Sequence, residues 1–211
     1  MHTLKQYLAV ALVMCGLSPV SCRVCGGSPT VTPLSTVQQL DLSRYLGTWY
    51  EIANLPHHFQ KDCHASQATY TQRADGNIDV FNTCHKGALD GPVAEAHGVA
   101  RPRAHGTPGQ LEVRFFGPFW AHYDVIELAA DYSYAVVGHP SRKYLWILCR
   151  ERHMDPTLYT AIVSRMQAFG FPTEKLNKTP QAASNASRRA PIGQVGPTTK
   201  TDVFTGFFTD I

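Results

Sequence analysis

The chain has 211 residues, of which 44% are hydrophobic and 17% are charged, and its formal net charge is +3 at pH 7. These values are typical of one globular domain of ordinary composition with some additional sequence. The positive charge is small and dispersed, and no run of Lys and Arg is longer than a pair such as Arg188–Arg189. The composition therefore indicates no nucleic-acid partner.

The first 21 residues have the pattern of a secretory signal peptide. Lys5 precedes the apolar run Tyr7–Leu17, which is too short to cross a bilayer, and small residues follow it. We expect residues 1–21 to be removed on export. The mature chain would then reach an oxidising compartment, where disulfides persist.

Cys22 follows Val20–Ser21 in a stretch that resembles the end of a bacterial lipobox, in which the cysteine is lipidated and becomes the new N-terminus. Pro19 departs from this pattern. The alternative is plain cleavage that leaves Cys22 free or disulfide-bonded. Lipidation, which we predict, would anchor the domain to a membrane face.

The middle of the chain has the pattern of a β-sheet protein. Residues 22–40 contain Gly, Ser, Thr and Pro without periodicity and are expected to form an extended tether. From residue 41, eight short alternating runs occur at even spacing with turn residues between them, which predicts an antiparallel sandwich or barrel. The runs are Trp49–Ala53, Ala68–Gln72, Asn77–Asn82, Glu95–Ala100, Leu111–Phe116, Tyr123–Leu128, Tyr134–Val137 and Tyr144–Cys149.

A single helix is predicted after the last run. Asp155 can cap its N-terminus, Pro156 suits its first turn, and Gly170 lies where the helix would end. An apolar stripe at helical spacing is expected to face the barrel wall, and it consists of Leu158, Ile162, Met166 and Phe169. Residues 181–211 are mostly polar and aperiodic, which predicts a mostly disordered tail, although its last segment, Val203–Phe208, is apolar.

Several motifs, in this order along the chain, resemble the lipocalin family, and specifically the group of bacterial outer-membrane lipocalins and apolipoprotein D. They are Tyr45–Ala53, Leu55–Pro56, Phe59, Ala68–Tyr70, Asp75–Asn82, Leu111–Phe119 and Tyr144–Arg150. The resemblance implies an all-β fold over residues 41–180: an eight-stranded antiparallel up-and-down β-barrel with one C-terminal α-helix packed on its side. It also implies an exported protein at the outer membrane, lipid-anchored and facing the periplasm.

The same resemblance assigns Gly47 and Trp49 to the first family signature and Arg150 to the third. A tryptophan at the closed end of a barrel fills its base, and a guanidinium laid across the indole gains about 0.5–2 kcal/mol from a cation–π contact. We therefore expect a structural role for these residues. The second signature is represented only by Ala129–Tyr132, whose register is shifted, so the receptor-facing loop of other lipocalins is not assumed.

Side chains on a strand alternate between two faces, so counting back from Arg150 assigns Leu148 and Trp146 to the interior. On the fourth run the small residues Ala96, Gly98 and Ala100 would face inward, opposite the larger Leu111, Val113 and Phe115 of the fifth run. This arrangement would leave a void inside the barrel. The resemblance to apolipoprotein D places Tyr70, Asn82 and Trp146 in a ligand pocket. The predicted ligand-binding residues are Tyr70, Val80, Asn82, Ala96, Gly98, Val113, Phe115, Trp146 and Leu148.

An apolar void with a few polar groups suits a lipid, since each buried CH₂ group contributes about 0.8 kcal/mol. The expected function is storage or transport of fatty acids such as palmitate, lysophospholipids or similar amphiphiles, with no cofactor and no enzymatic activity. Spacing alone leaves open a barrel filled by its own side chains that acts as an interaction module. A cavity enzyme of the cysteine-dependent isomerase type is the other alternative.

Cys63 and Cys84 flank the first predicted hairpin, whose turn lies at Asp75–Gly76, so the two cysteines return to each other at the open end. We predict a disulfide between them, with two free thiols as the alternative. Cys149 alternates with the interior positions and is interpreted as a packed strand residue.

The chain contains ten histidines, which raises the possibility of a haem or metal site. The candidates are His57, His58 and His64, in the loop after the first run. Adjacent histidines point in different directions, and no pair occurs at the spacing of a helical metal site. They are interpreted as solvated loop residues, and no metal site is predicted.

Overall fold

The computed structural model describes residues 33–182 and the short strand Asp202–Val203. The predicted signal peptide over 1–21 and the lipidation of Cys22 lie outside the described residues, as does most of the tail over 181–211. The strand Asp202–Val203 pairs in parallel with Ala94 and Glu95.

Eight antiparallel strands form a closed barrel in which each strand pairs with its neighbours along the chain and the last strand pairs with the first. This confirms the predicted up-and-down barrel, and every predicted run overlaps one strand. The strands are β1 (Gly47–Asn54), β2 (Cys63–Gln72), β3 (Ile78–Lys86), β4 (Val93–Pro102), β5 (Gln110–Arg114), β6 (Ala121–Leu128), β7 (Tyr134–Gly138) and β8 (Leu145–Cys149).

A short helix, α1 (Leu42–Tyr45), precedes the barrel, and the Asp41 carboxylate caps it by accepting from the backbone N–H groups of Ser43 and Arg44. Residues 33–40 pack against the barrel, which the sequence did not predict. Leu34 and Thr36 are buried. The Val37 N–H donates to the Val125 carbonyl over 2.9 Å. The expected tether over residues 22–40 therefore does not extend to residues 33–40.

The second helix, α2 (Pro156–Ala168), packs on the outside of the barrel, as predicted. Its Asp155 cap accepts from the Leu158 N–H over 2.9 Å. Ile162 and Met166 are fully buried against the wall. The stripe prediction is wrong for Phe169, which is 38% exposed, because this residue is already the C-cap where the chain leaves the helix.

No helix in the described part of the chain is both long and apolar enough to cross a membrane.

Because of a bulge in β1, side chains of this one strand belong to two hydrophobic clusters, one inside the barrel and one under α2. The register between β1 and β8 shifts between Glu51 and Ala53. Trp49 belongs to the cluster inside the barrel, whereas Ala53 belongs to the cluster under α2. The strand β9 (Asn177–Lys178) then pairs with Ala53 and Asn54 on β1. The bulge thus lets β1 contribute to the barrel interior and to the helix interface.

Candidate functional site

The base of the barrel is closed by an indole beneath a guanidinium. Trp49 is fully buried, and the Cζ atom of Arg150 lies 3.8 Å from its ring centroid. Arg150 donates hydrogen bonds to the carbonyls of Thr48, over 2.9 Å, and of Leu46, over 2.8 Å. Gly47 has a φ of +89°, and a Cβ atom there would lie 3.4 Å from the guanidinium. The structure therefore brings the three predicted signature residues together at one end.

The segment Ala129–Tyr132, which matched the second signature only weakly, lies at the same closed end. The Tyr132 hydroxyl accepts from the Asp41 N–H over 2.8 Å, and its ring lies 4.0 Å from the Arg44 guanidinium. Arg44 also donates to the Ala130 carbonyl over 3.1 Å. This turn holds α1 against the barrel.

A cavity extends from the closed end to the barrel mouth. The cavity volume is about 110 Å³. One water molecule needs roughly 10–15 Å³, so the cavity has room for a larger ligand. Eight of the nine predicted ligand-binding residues line it: Tyr70, Val80, Asn82, Ala96, Val113, Phe115, Trp146 and Leu148. The barrel is therefore not filled by its own side chains.

Gly98 is the predicted residue that does not line the cavity. A Cβ atom at Gly98 would lie 2.8 Å from Cδ1 of Phe115 and 2.9 Å from the Arg114 carbonyl oxygen. The Phe115 ring covers this position and forms the cavity wall in its place. Parity along β4 could not show this, because the contact comes from Phe115, the residue that follows β5.

Three tyrosines meet at the floor of the cavity. The hydroxyl of Tyr123 lies 2.9 Å from that of Tyr45 and 2.9 Å from that of Tyr70. Burial raises the pKa of Tyr70 to about 12 and raises the pKa values of the other two phenols as well. All three phenols are therefore neutral at physiological pH.

The upper wall contains a buried carboxylate in a chain of hydrogen bonds. The indole Nε1 of Trp146 donates to Oε1 of Gln60 over 2.9 Å, and Nε2 of Gln60 donates to Oε2 of Glu51 over 2.9 Å. Asn54 and Thr179 donate to the other Glu51 oxygen. Glu51 is 4% exposed, and burial raises its pKa. Since an indole can only donate, the orientation of the Gln60 amide is determined.

Aromatic rings surround the mouth. The His57 ring stacks on Phe59 with centroids 3.8 Å apart. Both His57 ring nitrogens are buried, and burial lowers the pKa of this residue to about 3. The expectation of a solvated histidine is therefore wrong for His57. Burial also lowers the pKa of His139, which lines the cavity, to about 4.

Charged groups are unevenly distributed around the cavity. Of the described residues that line it, none is Lys or Arg, whereas Glu51 and Glu95 are acidic. Across residues 33–182, no group of three or more His, Cys, Asp or Glu side chains is arranged to hold a metal ion.

The predicted disulfide between Cys63 and Cys84 is confirmed. It joins the start of β2 to the end of β3 at the mouth, where both residues line the cavity. Cys149 is a buried free cysteine whose sulfur accepts from the Glu151 N–H over 3.4 Å. Its side chain does not belong to the cavity lining.

Several site residues were not identified from the sequence. Glu51 has the same strand parity as Trp49, so the counting used for the other positions could have found it. Tyr123 begins a predicted strand, but nothing in its pattern indicates contact with Tyr45 and Tyr70. Gln60 ends a one-turn 3-10 helix, His58–Gln60, between β1 and β2, which is too short for side-chain periodicity to identify.

A closed antiparallel barrel with an apolar cavity, a sealed base and one helix on its side defines a class of proteins that hold small hydrophobic molecules, the lipocalins. The family model described as "Lipocalin-like domain" matches residues 40–181. The chain belongs to the lipocalin family.

Proteins from distant organisms are similar in sequence to most of this chain. Outer membrane lipoprotein Blc of Vibrio cholerae is 36% identical over 170 residues, which cover 80% of this chain and 95% of the relative. Temperature-induced lipocalin-1 of Arabidopsis thaliana is 35% identical and covers 71% and 83% of the two chains. Apolipoprotein D of Mus musculus is 32% identical, with coverage of 71% and 82%.

Solved structures show the same fold. Insecticyanin from the tobacco hornworm Manduca sexta superposes with a TM-score of 0.56 at 21% identity, covering 71% of this chain and 85% of the other.

Proposed function

We propose that this protein binds single-chain lipids, such as fatty acids or lysophospholipids, in the barrel cavity and stores or transports them. The observation that carries the proposal is the unfilled apolar cavity above the Trp49 and Arg150 base. A hydrocarbon chain there would gain about 0.8 kcal/mol for each CH₂ group removed from water. The relatives named as lipoproteins and apolipoprotein D agree with this assignment.

The ligand contacts in this proposal are the eight lining residues named above. Val80, Ala96, Val113 and Leu148 would contact the chain. Asn82 would orient a polar group, because the Oδ1 atom of its amide is buried without a hydrogen-bond partner. A buried polar atom of this kind is costly unless a ligand or water satisfies it.

The proposal includes a location at the cell envelope. Four bacterial relatives carry the name outer membrane lipoprotein, and residues 1–22 have the pattern of a signal peptide followed by a lipidation site. We propose that the mature protein is anchored to the outer membrane through a lipid on Cys22 and faces the periplasm.

A cysteine-dependent isomerase would need an accessible thiolate in the cavity. The two cysteines of the lining are joined in a disulfide, and the sulfur of Cys149 contacts the chain after β8. This arrangement favours a carrier over that kind of enzyme.

Displacement of a fluorescent fatty acid from the purified protein tests the proposal. We expect palmitate and a lysophospholipid to displace the probe, and we expect Trp146→Ala to weaken binding while the circular dichroism spectrum stays unchanged. Trp120→Ala is the matched control, because this indole lies 3.9 Å from Arg101 and does not line the cavity. Probe binding that is absent, or that Trp146→Ala and Trp120→Ala affect equally, would contradict the proposal.

Native mass spectrometry of protein purified from membranes tests the location. The expected mass includes acyl groups on Cys22. An unacylated mature N-terminus would contradict the anchor without affecting the carrier function.

A further inference from the structure

The floor of the cavity holds more hydrogen-bond donors than the protein uses. Tyr45, Tyr70 and Tyr123 contribute three hydroxyl protons, but their oxygens make only two contacts with one another. No other hydrogen bond of these hydroxyls occurs within the described residues. Each phenol has one proton to donate, so two contacts consume two protons and leave one.

Every arrangement that satisfies all three protons delivers one of them to an acceptor outside the cluster. In one arrangement Tyr45 donates to Tyr123, Tyr123 donates to Tyr70, and Tyr70 donates outward. In another, Tyr45 and Tyr70 both donate to Tyr123, which donates outward. In the third, Tyr70 donates to Tyr123 and Tyr123 donates to Tyr45, whose own buried proton then has no acceptor among the described residues. Tyr70 and Tyr123 line the cavity, whereas Tyr45 lies beneath them with its ring centroid 5.0 Å from that of Trp49. The first two arrangements, which avoid an unpaired proton beneath the floor, therefore direct the free proton into the cavity.

We propose that this tyrosine floor is a donor site for an uncharged acceptor, such as a carbonyl or hydroxyl oxygen, at the buried end of the ligand. The inference rests on the proposed lipid binding and narrows its ligand class. A chain that ends in a methyl group leaves the phenolic proton unpaired in an apolar space, which is unfavourable. A chain with an oxygen near its end satisfies it, and the successive hydrogen bonds strengthen one another.

The acceptor is expected to be uncharged because no cationic side chain lines the cavity to pair with a charged group. None of the described lining residues is Lys or Arg. Arg150 lies below the floor and directs its donors to backbone carbonyls of residues 44–48. A buried carboxylate would therefore lack the partner that it needs.

The test uses two lipids that differ only at the end of the chain. One is a lysophosphatidylcholine with a saturated acyl chain, and the other carries a ketone at the penultimate carbon of the same chain. Both lipids are prepared in the same series of chain lengths. The zwitterionic head group keeps that end in water, so the ketone enters the cavity first. Dissociation constants are measured for wild type, for Tyr70→Phe, for Tyr123→Phe and for the double variant.

The ratio of the keto-lipid dissociation constant to the saturated-lipid constant is the informative quantity. We expect it to rise about three- to tenfold in the double variant, which has no phenol in the cavity lining. In each single variant this ratio should stay close to the wild-type ratio, because one lining phenol with an available proton remains. Tyr50→Phe is the control, since this ring lies outside the barrel under Arg152.

Infrared spectroscopy of a carbonyl-labelled keto-lipid gives a second readout that needs no variant. The ketone band of the lipid bound to wild type should lie below its position in a hydrocarbon solvent. An equal ratio in wild type and the double variant, or a bound ketone band at the hydrocarbon position, would overturn the inference. If neither lipid binds to wild type, the proposed lipid-binding function fails instead.

Discussion

The Arg150 guanidinium lies 3.8 Å above the Trp49 ring, although 100 residues separate the two along the chain. Its donors bind carbonyls at the end of α1 and the start of β1, so the side chain of the residue that follows β8 joins this strand end to the first helix and the base of the barrel. The contact closes the end of the cavity that holds the tyrosine floor.

Replacement of Arg150 by Met should lower the free energy of unfolding by about 2–4 kcal/mol, because it removes the cation–π contact and several charge-assisted hydrogen bonds. Chemical denaturation measures this change. Arg152→Met is the control, because Arg152 lies 4.5 Å from the Tyr50 ring on the outer face of β1. We expect a loss of no more than about 1 kcal/mol there. Equal losses in the two variants would contradict the role of Arg150.

Replacement of Ala96 by Phe should fill the cavity. Ala96 is buried in the lining, and a phenyl ring there would take the space of several methylene groups of a ligand chain. Since each CH₂ group contributes about 0.8 kcal/mol, we expect fatty-acid binding to weaken about tenfold or more. His97→Phe is the matched control, because His97 is the next residue on β4 and its side chain is exposed. Unchanged binding by Ala96→Phe would place the ligand elsewhere.

Loss of the Cys63–Cys84 disulfide should destabilise the barrel by about 3 kcal/mol, since the bond closes a loop between residues separated by 21 positions. For a chain of this size the melting temperature should fall by about 6–12 °C. Calorimetry of the double variant Cys63→Ala/Cys84→Ala measures the fall. Cys149→Ala is the control, because Cys149 is a free cysteine. A reductant should lower the melting temperature of this variant as much as that of wild type. Resistance of Cys149→Ala to the reductant would contradict the Cys63–Cys84 assignment.

The Glu51 carboxyl should make stability depend on pH. Burial raises the pKa of Glu51 above its ordinary value of 4.5, so the folded state holds the proton more tightly than the unfolded state. The resulting stability is complete below about pH 4.5 and is lost as the pH rises through the folded-state pKa.

Glu51→Gln cannot ionise and isolates this contribution. We expect the unfolding free energy of wild type minus that of the variant to fall as the pH rises from about 4 to 8. Denaturation at a series of pH values measures the difference. A difference that grows with pH would show that the hydrogen bonds from Asn54, Gln60 and Thr179 outweigh the effect of burial.

Local pattern predicted most of the fold and part of the site. Eight of the cavity residues were identified by strand alternation together with the resemblance to apolipoprotein D, which supplied Tyr70, Asn82 and Trp146; alternation works because side-chain direction on a strand depends only on position. The helix was predicted from its Asp155 cap to Gly170, since capping is a local interaction. Phe169 was misassigned because the stripe continues past the point at which the helix ends.

The sequence by itself determined the closed barrel, its helix and the pairing of Cys63 with Cys84, because periodicity, turn residues and family motifs are recorded along the chain. Only the tertiary structure decided that the interior stays open, that Phe115 covers Gly98, and that the hydroxyls of Tyr45, Tyr70 and Tyr123 meet. These features depend on distances between side chains from separate elements. Such distances follow from the bulges, the register and the packing of the whole barrel, which no local pattern records.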